Sequence, residues 1–369
     1  MTSYSRSSAQ VGSLTNMAFS DSSEMSDYER NAWARLVAEA AGKDSDQGRF
    51  SRWADTAKSH AKGAATKAKN EVADHVPGAD KAMVAVDATM QKALAGLHTA
   101  FVERGLNSVS PATIFGSFAS EGANVSSYDE VRQLDLKLCD RSVPRRKEKY
   151  IAMAAGQGAA TSLAVTGATV ASTVSGGTTL GVAMGAVVVD ITSVMVGMGR
   201  IVALVAAHYG YDVREPEEQV FASGVLSYST AGSAAEKAAS LAALSRLTQE
   251  MMRQATWKQL QRHQMVNVIQ TVVTSLGFNL TKKKLAQIVP VAGVIINGGL
   301  NARLAQNTFS RAQSAYRLRF LTEKYGLDPL SWAPNVIDVE GNEMPLIDEI
   351  IDAEIARSES DSSGPDVEC

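Results

Sequence analysis

Cysteine is almost missing from this chain. Cys139 and Cys369 are the only two in 369 residues. That excludes a disulfide framework and points to a reducing, cytosolic compartment. Aromatic residues are scarce at 6%, and Ala, Gly, Val, Ser and Thr take their place, a composition that favours close approach of helices. No basic stretch followed by an apolar run opens the sequence, so no secretory signal is expected. No segment alternates apolar and polar residues over a strand length, so the expected fold class is all-α. Enzyme signatures are missing too: there is no GxSxG elbow, no GxxxxGK[ST] loop and no HExxH pair. The five histidines fall on separate expected elements without metal-ligand spacing. No catalytic residue, metal ligand or cofactor is therefore assigned. Cys139 has Arg141, Arg145 and Arg146 nearby, which would favour its thiolate. No base accompanies it, and a buried or incidental thiol is the simpler reading.

Charge is present but segregated. The formal net charge is −3. From Asp338 onward there are 11 acidic residues and one basic residue, Arg357, a net of −10, which leaves about +7 on residues 1–337. A mildly basic body favours an anionic partner. The basic clusters lack interleaved aromatics and match no nucleic-acid module, so nucleic acid is not the expected partner.

The chain divides into four stretches. Residues 1–48 are Ser-rich and polar, expected to be mostly disordered apart from a short helix at 27–41. Residues 49–76 form a basic, Ala-rich amphipathic pattern, with six Lys/Arg against one acid between Arg49 and Lys69. It fits either an anionic membrane surface or an ordinary surface helix. Residues 77–326 carry the main helical domain. Its pattern predicts helices at about 79–104, 110–122, 126–138, 217–228, 234–251, 256–276, 281–288 and 303–324. Residues 327–369 are an acidic, largely disordered tail in which only 345–356 has a helical pattern.

The most distinctive run is Ile151–Ala207: 57 residues with two charges, Asp190 and Arg200, nine glycines and no aromatic residue. Ser175-Gly176-Gly177 divides it, which predicts a tight, glycine-rich apolar helical hairpin at the centre of the domain. Gly177, Gly181 and Gly185 recur every four residues, a glycine zipper that lets another helix approach to backbone contact. The second half is long enough to cross a bilayer, at about 20 residues. The first half is barely hydrophobic, and an acid at a bilayer centre costs about 3 kcal/mol. Three readings stay open: a membrane insertion, a re-entrant or conditional one, and a buried core hairpin. Asp190 and Arg200 are ten residues apart on differing faces, so each needs a partner elsewhere, such as the second apolar segment.

That second segment, 289–300, follows Thr281-Lys282-Lys283-Lys284, just as the hairpin follows Arg145-Arg146-Lys147-Glu148-Lys149. The repeated order of basic cluster and glycine-bearing apolar run makes Arg145, Arg146, Lys147, Lys149, Lys282, Lys283 and Lys284 candidates to face anionic lipid. Asn297 and Asn301, one turn apart, join Asp190 and Arg200 as candidate buried polar groups.

Several of these motifs resemble the EcsC protein family. The resemblance rests on His208–Ala222 (HYGYDVREPEEQVFA), on Leu280–Leu285 (LTKKKL), and on Ile288–Gly293 with Gly298–Asn301 (IVPVAG, GGLN). The late helix Ala315–Leu321 (AYRLRFL) adds to it. Tyr209, Gly210, Tyr211, Asp212, Pro216, Pro290 and Gly293 are the residues that carry it. The motifs keep the family's order and cover about 77–326. The family is named for a bacterial protein encoded with an ABC transporter. The resemblance implies a helical fold and association with a membrane, and brings no catalytic residues with it.

The expected function is therefore that of a membrane-associated protein on the cytoplasmic side, peripheral or hairpin-inserted. It would bind lipid or assist a membrane protein complex related to transport. Two alternatives stand beside it: a soluble helical interaction module, and an enzyme of unrecognised type acting on lipid or peptide, with Asp190 in a pocket.

Overall fold

The computed structural model describes residues 25–41, 96–143, 178–253, 262–285, 293–333 and 347–362. Within them every regular element is helical. The basic pattern at 49–76, the first half of the hairpin, Gly177, the cluster at Arg145–Lys149, Pro290 and the whole of 1–24 lie outside the described residues.

Helix α1, Asp27–Ala40, begins with a reciprocal capping box between Ser26 and Glu29. The next segment, α2, is irregular: α-helix over Leu97–Thr99, π-helix over Ala100–Gly105 and 3-10 helix over Leu106–Ser108. Helix α3, Pro111–Ser120, starts with proline at its first position, where the missing N–H has no intrahelical partner to lose. Where one helix is predicted at 126–138 there are two. Helix α4, Tyr128–Gln133, is capped by Ser127, and α5, Leu136–Ser142, by Asp135. Asp135 accepts from the Lys137 amide at 2.7 Å, and such a side chain competes with the helix and restarts it.

Five longer helices build the core: α6 (Thr178–His208), α7 (Pro216–Thr230), α8 (Ala234–Arg253), α9 (Arg262–Leu285) and α10 (Gly293–Tyr325). Helix α6 is central, packing on α2, α10, α9 and α7. Two expectations need correction here. The patterns at 256–276 and 281–288 belong to one helix, α9, which runs through Gly277. Helix α10 likewise joins the apolar run to the amphipathic segment, passing through Gly298 and Gly299. A glycine inside a helix costs about 1 kcal/mol relative to alanine. Packing of the faces on either side outweighs that.

In the tail the helix expected at 345–356 is present and packed on the core. A 3-10 turn, Pro329–Trp332, buries Trp332, whose Nε1–H donates to Thr322 Oγ1 at 3.0 Å. Ser245 Oγ donates to the Pro329 carbonyl at 2.6 Å. Helix α11, Ile347–Ser362, then packs on α9 and α8 with Ile347, Ile350 and Ile351 buried. Ile347 sits over Gly224, where an added Cβ would come within 3.3 Å of its Cδ1. Apart from its isoleucines and Arg357, every residue of α11 is acidic or small, yet the isoleucines recur at helical spacing, and that stripe anchors it.

Candidate functional site

Helix α6 ends in the sequence Tyr209-Gly210-Tyr211-Asp212. The Tyr211 amide donates to the Ala206 carbonyl at 3.0 Å and the Gly210 amide to Ala207 at 3.2 Å. This is the paired C-terminal cap that requires a left-handed residue, and Gly210 has φ +85°. Space imposes the same choice. A Cβ on Gly210 would lie 2.6 Å from Arg132 Cγ and 2.7 Å from the Tyr128 carbonyl oxygen on α4.

The turn sends its two tyrosines into two charged clusters. The Tyr209 hydroxyl donates to Asp140 Oδ1 at 2.5 Å, where Arg317 Nε also donates at 2.7 Å. Tyr28 on α1 donates to the other oxygen at 2.7 Å. Tyr211 donates to Glu323 Oε2 at 3.0 Å. Arg319 lies between Glu323, reached by Nε at 2.6 Å, and Glu218, held by both terminal nitrogens at 2.7 Å. Its guanidinium also lies over the rings of Tyr211 and Phe221, 4.1 and 4.4 Å from their centres. A third acid, Glu29, is buried at the base of α1. It accepts from Tyr325 at 2.6 Å, Lys324 at 2.9 Å and the Leu136 amide at 3.1 Å. Burial alone would raise its pKa, but these hydrogen bonds outweigh it and hold the carboxyl below its ordinary range.

Chemically these clusters are closed. Arg319 is almost fully buried with both acids in contact. The cavity beside them, lined by Arg132, Tyr211, Phe320, Glu323 and Lys324, measures about 150 Å3, below the range of small-ligand sites. The arrangement ties α1, α4, α5, α7 and α10 to the end of α6. Asp212 is clamped by Arg214, and Pro216 opens α7. Cys139 is buried on the same side. Burial, with Asp140 adding to it, pushes its thiol up to about 12, the reverse of what flanking arginines would do.

A second arrangement lies further up α6. Asp190 is buried and accepts from Asn301 Nδ2 on α10 at 3.3 Å. Because Asp190 meets Asn301 while Tyr209 meets Gln313 and Arg317, α6 and α10 run in the same direction. Their N-terminal stretches, 178–189 and 293–300, therefore leave the Asp190–Asn301 level at one end of the bundle. Both are uncharged in sequence.

From Ile201 to His208 every residue of α6 is buried. From Val188 to Arg200 one face is open: Val189 is 66% exposed, with Thr192, Ser193, Val196 and Gly197 half-buried along the same face. Arg200 ends this face and is itself exposed, which corrects its expected place among the buried polar groups. Gly181 and Gly185 lie on α6, and Lys282, Lys283 and Lys284 on the last turn of α9. Asn297 and Gly293 lie on the first turns of α10. Their side-chain surroundings are outside the described residues.

Close helix approach does occur on glycine, at a place the four-residue spacing did not mark. A Cβ on Gly199 would stand 3.1 Å from Gly105 Cα and 2.9 Å from Phe101 Cδ2. Only the contact of α2 with α6 reveals this pair, because Gly105 and Gly199 are remote in sequence.

Among the described residues no group of three or more His, Cys, Asp or Glu side chains is placed to hold a metal ion. The family model for EcsC matches residues 59–321. The chain belongs to the EcsC protein family. The match begins inside the segment that sequence reading set apart as a separate basic helix. It stops before Trp332 and α11, so this EcsC protein completes its core with residues that lie outside the family match. No curated protein and no solved structure matches the chain.

Proposed function

We propose that this EcsC protein is a membrane-associated helical protein that enters the bilayer with its uncharged end, the N-terminal stretches of α6 and α10 together with the preceding apolar run. One observation carries the reading: the change of environment along α6. The stretch Val188–His208 has a mean hydropathy of 1.8, yet 61% of its apolar window is buried inside the protein. A helix crossing lipid by itself has no reason to be enclosed on all sides from Ile201 onward. Over the same helix Val189, Thr192, Ser193, Val196 and Gly197 stand in one open, uncharged line.

Partial entry accounts for both. The open face contacts hydrocarbon, Asp190 faces α10 rather than lipid, and Arg200 stands at the headgroup level, where a long cationic side chain keeps its charge in water. Lys282–Lys284, just before α10, and Arg145–Lys149, before the hairpin, supply attraction to anionic headgroups, on the order of 1 kcal/mol per residue near the surface. Lipid binding and support of a membrane protein complex on the cytoplasmic face are the roles this geometry serves best.

Flotation with vesicles of phosphatidylglycerol and phosphatidylcholine tests the reading. The full chain should float at low salt and resist a high-salt wash, whereas Val189→Asp/Val196→Asp should lose the salt-resistant fraction. A wild-type chain that stays at the bottom with anionic vesicles at low salt contradicts it.

A further inference from the structure

Helix α10 carries Arg303, Asn307 and Arg311 at four-residue steps, so the three follow one another along one side of the helix. Arg311 is only 9% exposed. A guanidinium at that depth ordinarily has a carboxylate partner, as Arg317 and Arg319 have here. Arg311 has no ion pair among the described residues. Its Nη1 instead donates to three carbonyls at the end of α7, those of Tyr228 at 2.6 Å, Ser229 at 3.1 Å and Ala231 at 2.9 Å. That one nitrogen closes the C-terminus of α7.

The other edge of the guanidinium is left over. Nε and Nη2 make no hydrogen bond among the described residues, and neither is sealed inside the protein. Their two N–H groups form a fork that fits two oxygens of one oxyanion. Tyr228 stands beside it, with its ring centre 5.5 Å from Arg311 Cζ. Tyr228 is 7% exposed, yet its hydroxyl likewise makes no hydrogen bond among the described residues and is not sealed off. Burial, with the charge of Glu39 adding to it, pushes that hydroxyl up to about 12, so it keeps a proton to donate. One turn along α10, the amide of the half-buried Asn307 has no hydrogen bond among the described residues either. Three donor groups from two helices stand together without protein acceptors.

The surrounding charge is mixed, with cations in excess. Burial lowers the pKa of Arg311 and of Lys237 on α8, and the charge of Arg303 acts on both in the same direction. Against these three cations stand Glu236 and Glu39. The Glu236 carboxylate accepts from the Gly232 and Ser233 amides at 2.5 and 3.3 Å, which commits it to the start of α8. Glu39 is exposed near the end of α1. The stretch Arg303–Arg311 lies between Asn301 and Gln313, as Arg200 lies between Asp190 and Tyr209 on α6. The cluster therefore sits at the height of Arg200.

We propose that Arg311, Tyr228 and Asn307 form a binding site for a phosphate monoester, with Arg303 and Lys237 adding positive charge around it. The Arg311 fork takes two phosphate oxygens, and the Tyr228 hydroxyl and Asn307 amide reach the third. A tetrahedral group with three free oxygens matches donors arriving from three directions, where a planar carboxylate offers two oxygens in one plane. The monoester is that of a lipid headgroup or of a soluble ester. The site does not depend on membrane entry.

Calorimetry and Tm on the full chain with glycerol 3-phosphate, and with acetate as the planar anion, test one source. Flotation with phosphatidic acid vesicles against phosphatidylglycerol vesicles tests the other. Glycerol 3-phosphate should bind with Kd tighter than about 1 mM and raise Tm, and acetate should do neither. Tyr228→Phe should weaken binding by about tenfold. Asn307→Asp, whose carboxylate takes the Arg311 fork, should abolish it. Without ligand both variants should match or exceed the wild-type Tm, which separates lost contacts from lost folding. A preference for phosphatidic acid that Asn307→Asp removes assigns the site to lipid. Binding of the soluble ester without that preference assigns it to a soluble phosphate. Absence of both overturns the proposal, as does acetate binding as tight as the phosphate, or binding undiminished in both variants. A chain that floats with phosphatidylglycerol yet fails these tests loses this site and keeps the membrane reading, and one that binds glycerol 3-phosphate without floating does the reverse.

Discussion

The two halves of α6 meet opposite surroundings. Below Ile201 the helix is enclosed and runs into a turn whose tyrosines reach ion-paired acids. Above Arg200 the same helix has one open, uncharged face of Val, Thr, Ser and Gly residues and a single buried acid, held to Asn301. In the lower half, shape and charge are fixed by matched partners from α1, α4, α5, α7 and α10. In the upper half the N-terminal stretches of α6 and α10, 178–189 and 293–300, are uncharged in sequence. A single helix thus couples a charge-locked body to an uncharged end, the end that the proposed function places in a bilayer.

The contrast can be broken most severely at Arg319. Arg319→Ala leaves Glu218 and Glu323 facing each other without their cation, and should cost about 3–5 kcal/mol of folding stability by urea unfolding. Gly210→Ala should follow at about 2–4 kcal/mol, from the left-handed backbone and the contact with α4.

Acid should act on the same half. The Glu29 carboxyl has a folded pKa below its unfolded value, so the stability it contributes is full above that unfolded value. It is lost as pH falls through the folded one. The acid limb of a Tm-against-pH curve should therefore flatten in Glu29→Gln, which is also less stable at neutral pH. The smallest effect has the opposite sign. The Tyr316 hydroxyl is buried among Tyr211 and Phe221 with no hydrogen-bond partner among the described residues. Tyr316→Phe should leave stability unchanged or raise it by about 1 kcal/mol, read as Tm.

Much of this architecture was legible in the sequence. The patterns at 27–41, 110–122 and 217–228 and the second half of the apolar run with Asp190 all lead to helices that are present. An acid in such a run demands a partner, and the second apolar segment supplies Asn301. The charged clusters were not legible. Arg319 and Glu218 are 101 positions apart, Arg317 and Asp140 177, Lys324 and Glu29 295, and no local pattern links such residues. Helix boundaries were less legible: the patterns at 256–276 and 281–288 belong to one helix that passes through Gly277, and the close approach of Gly105 and Gly199 joins residues remote in sequence. In the tail the helical pattern at 345–356 was legible, while the packing of its isoleucines on α8 and α9 was not.

The central claim is that the two halves differ in the solvent they meet. An environment-sensitive fluorophore placed by Val189→Cys, with Leu330→Cys as the control beyond the far end of α10, both in a Cys369→Ser background, tests it most directly. On addition of anionic vesicles the probe at 189 should shift to the blue and be quenched by nitroxide-bearing lipid, while the probe at 330 should not change. Equal responses at both positions, or none at 189, would contradict the account.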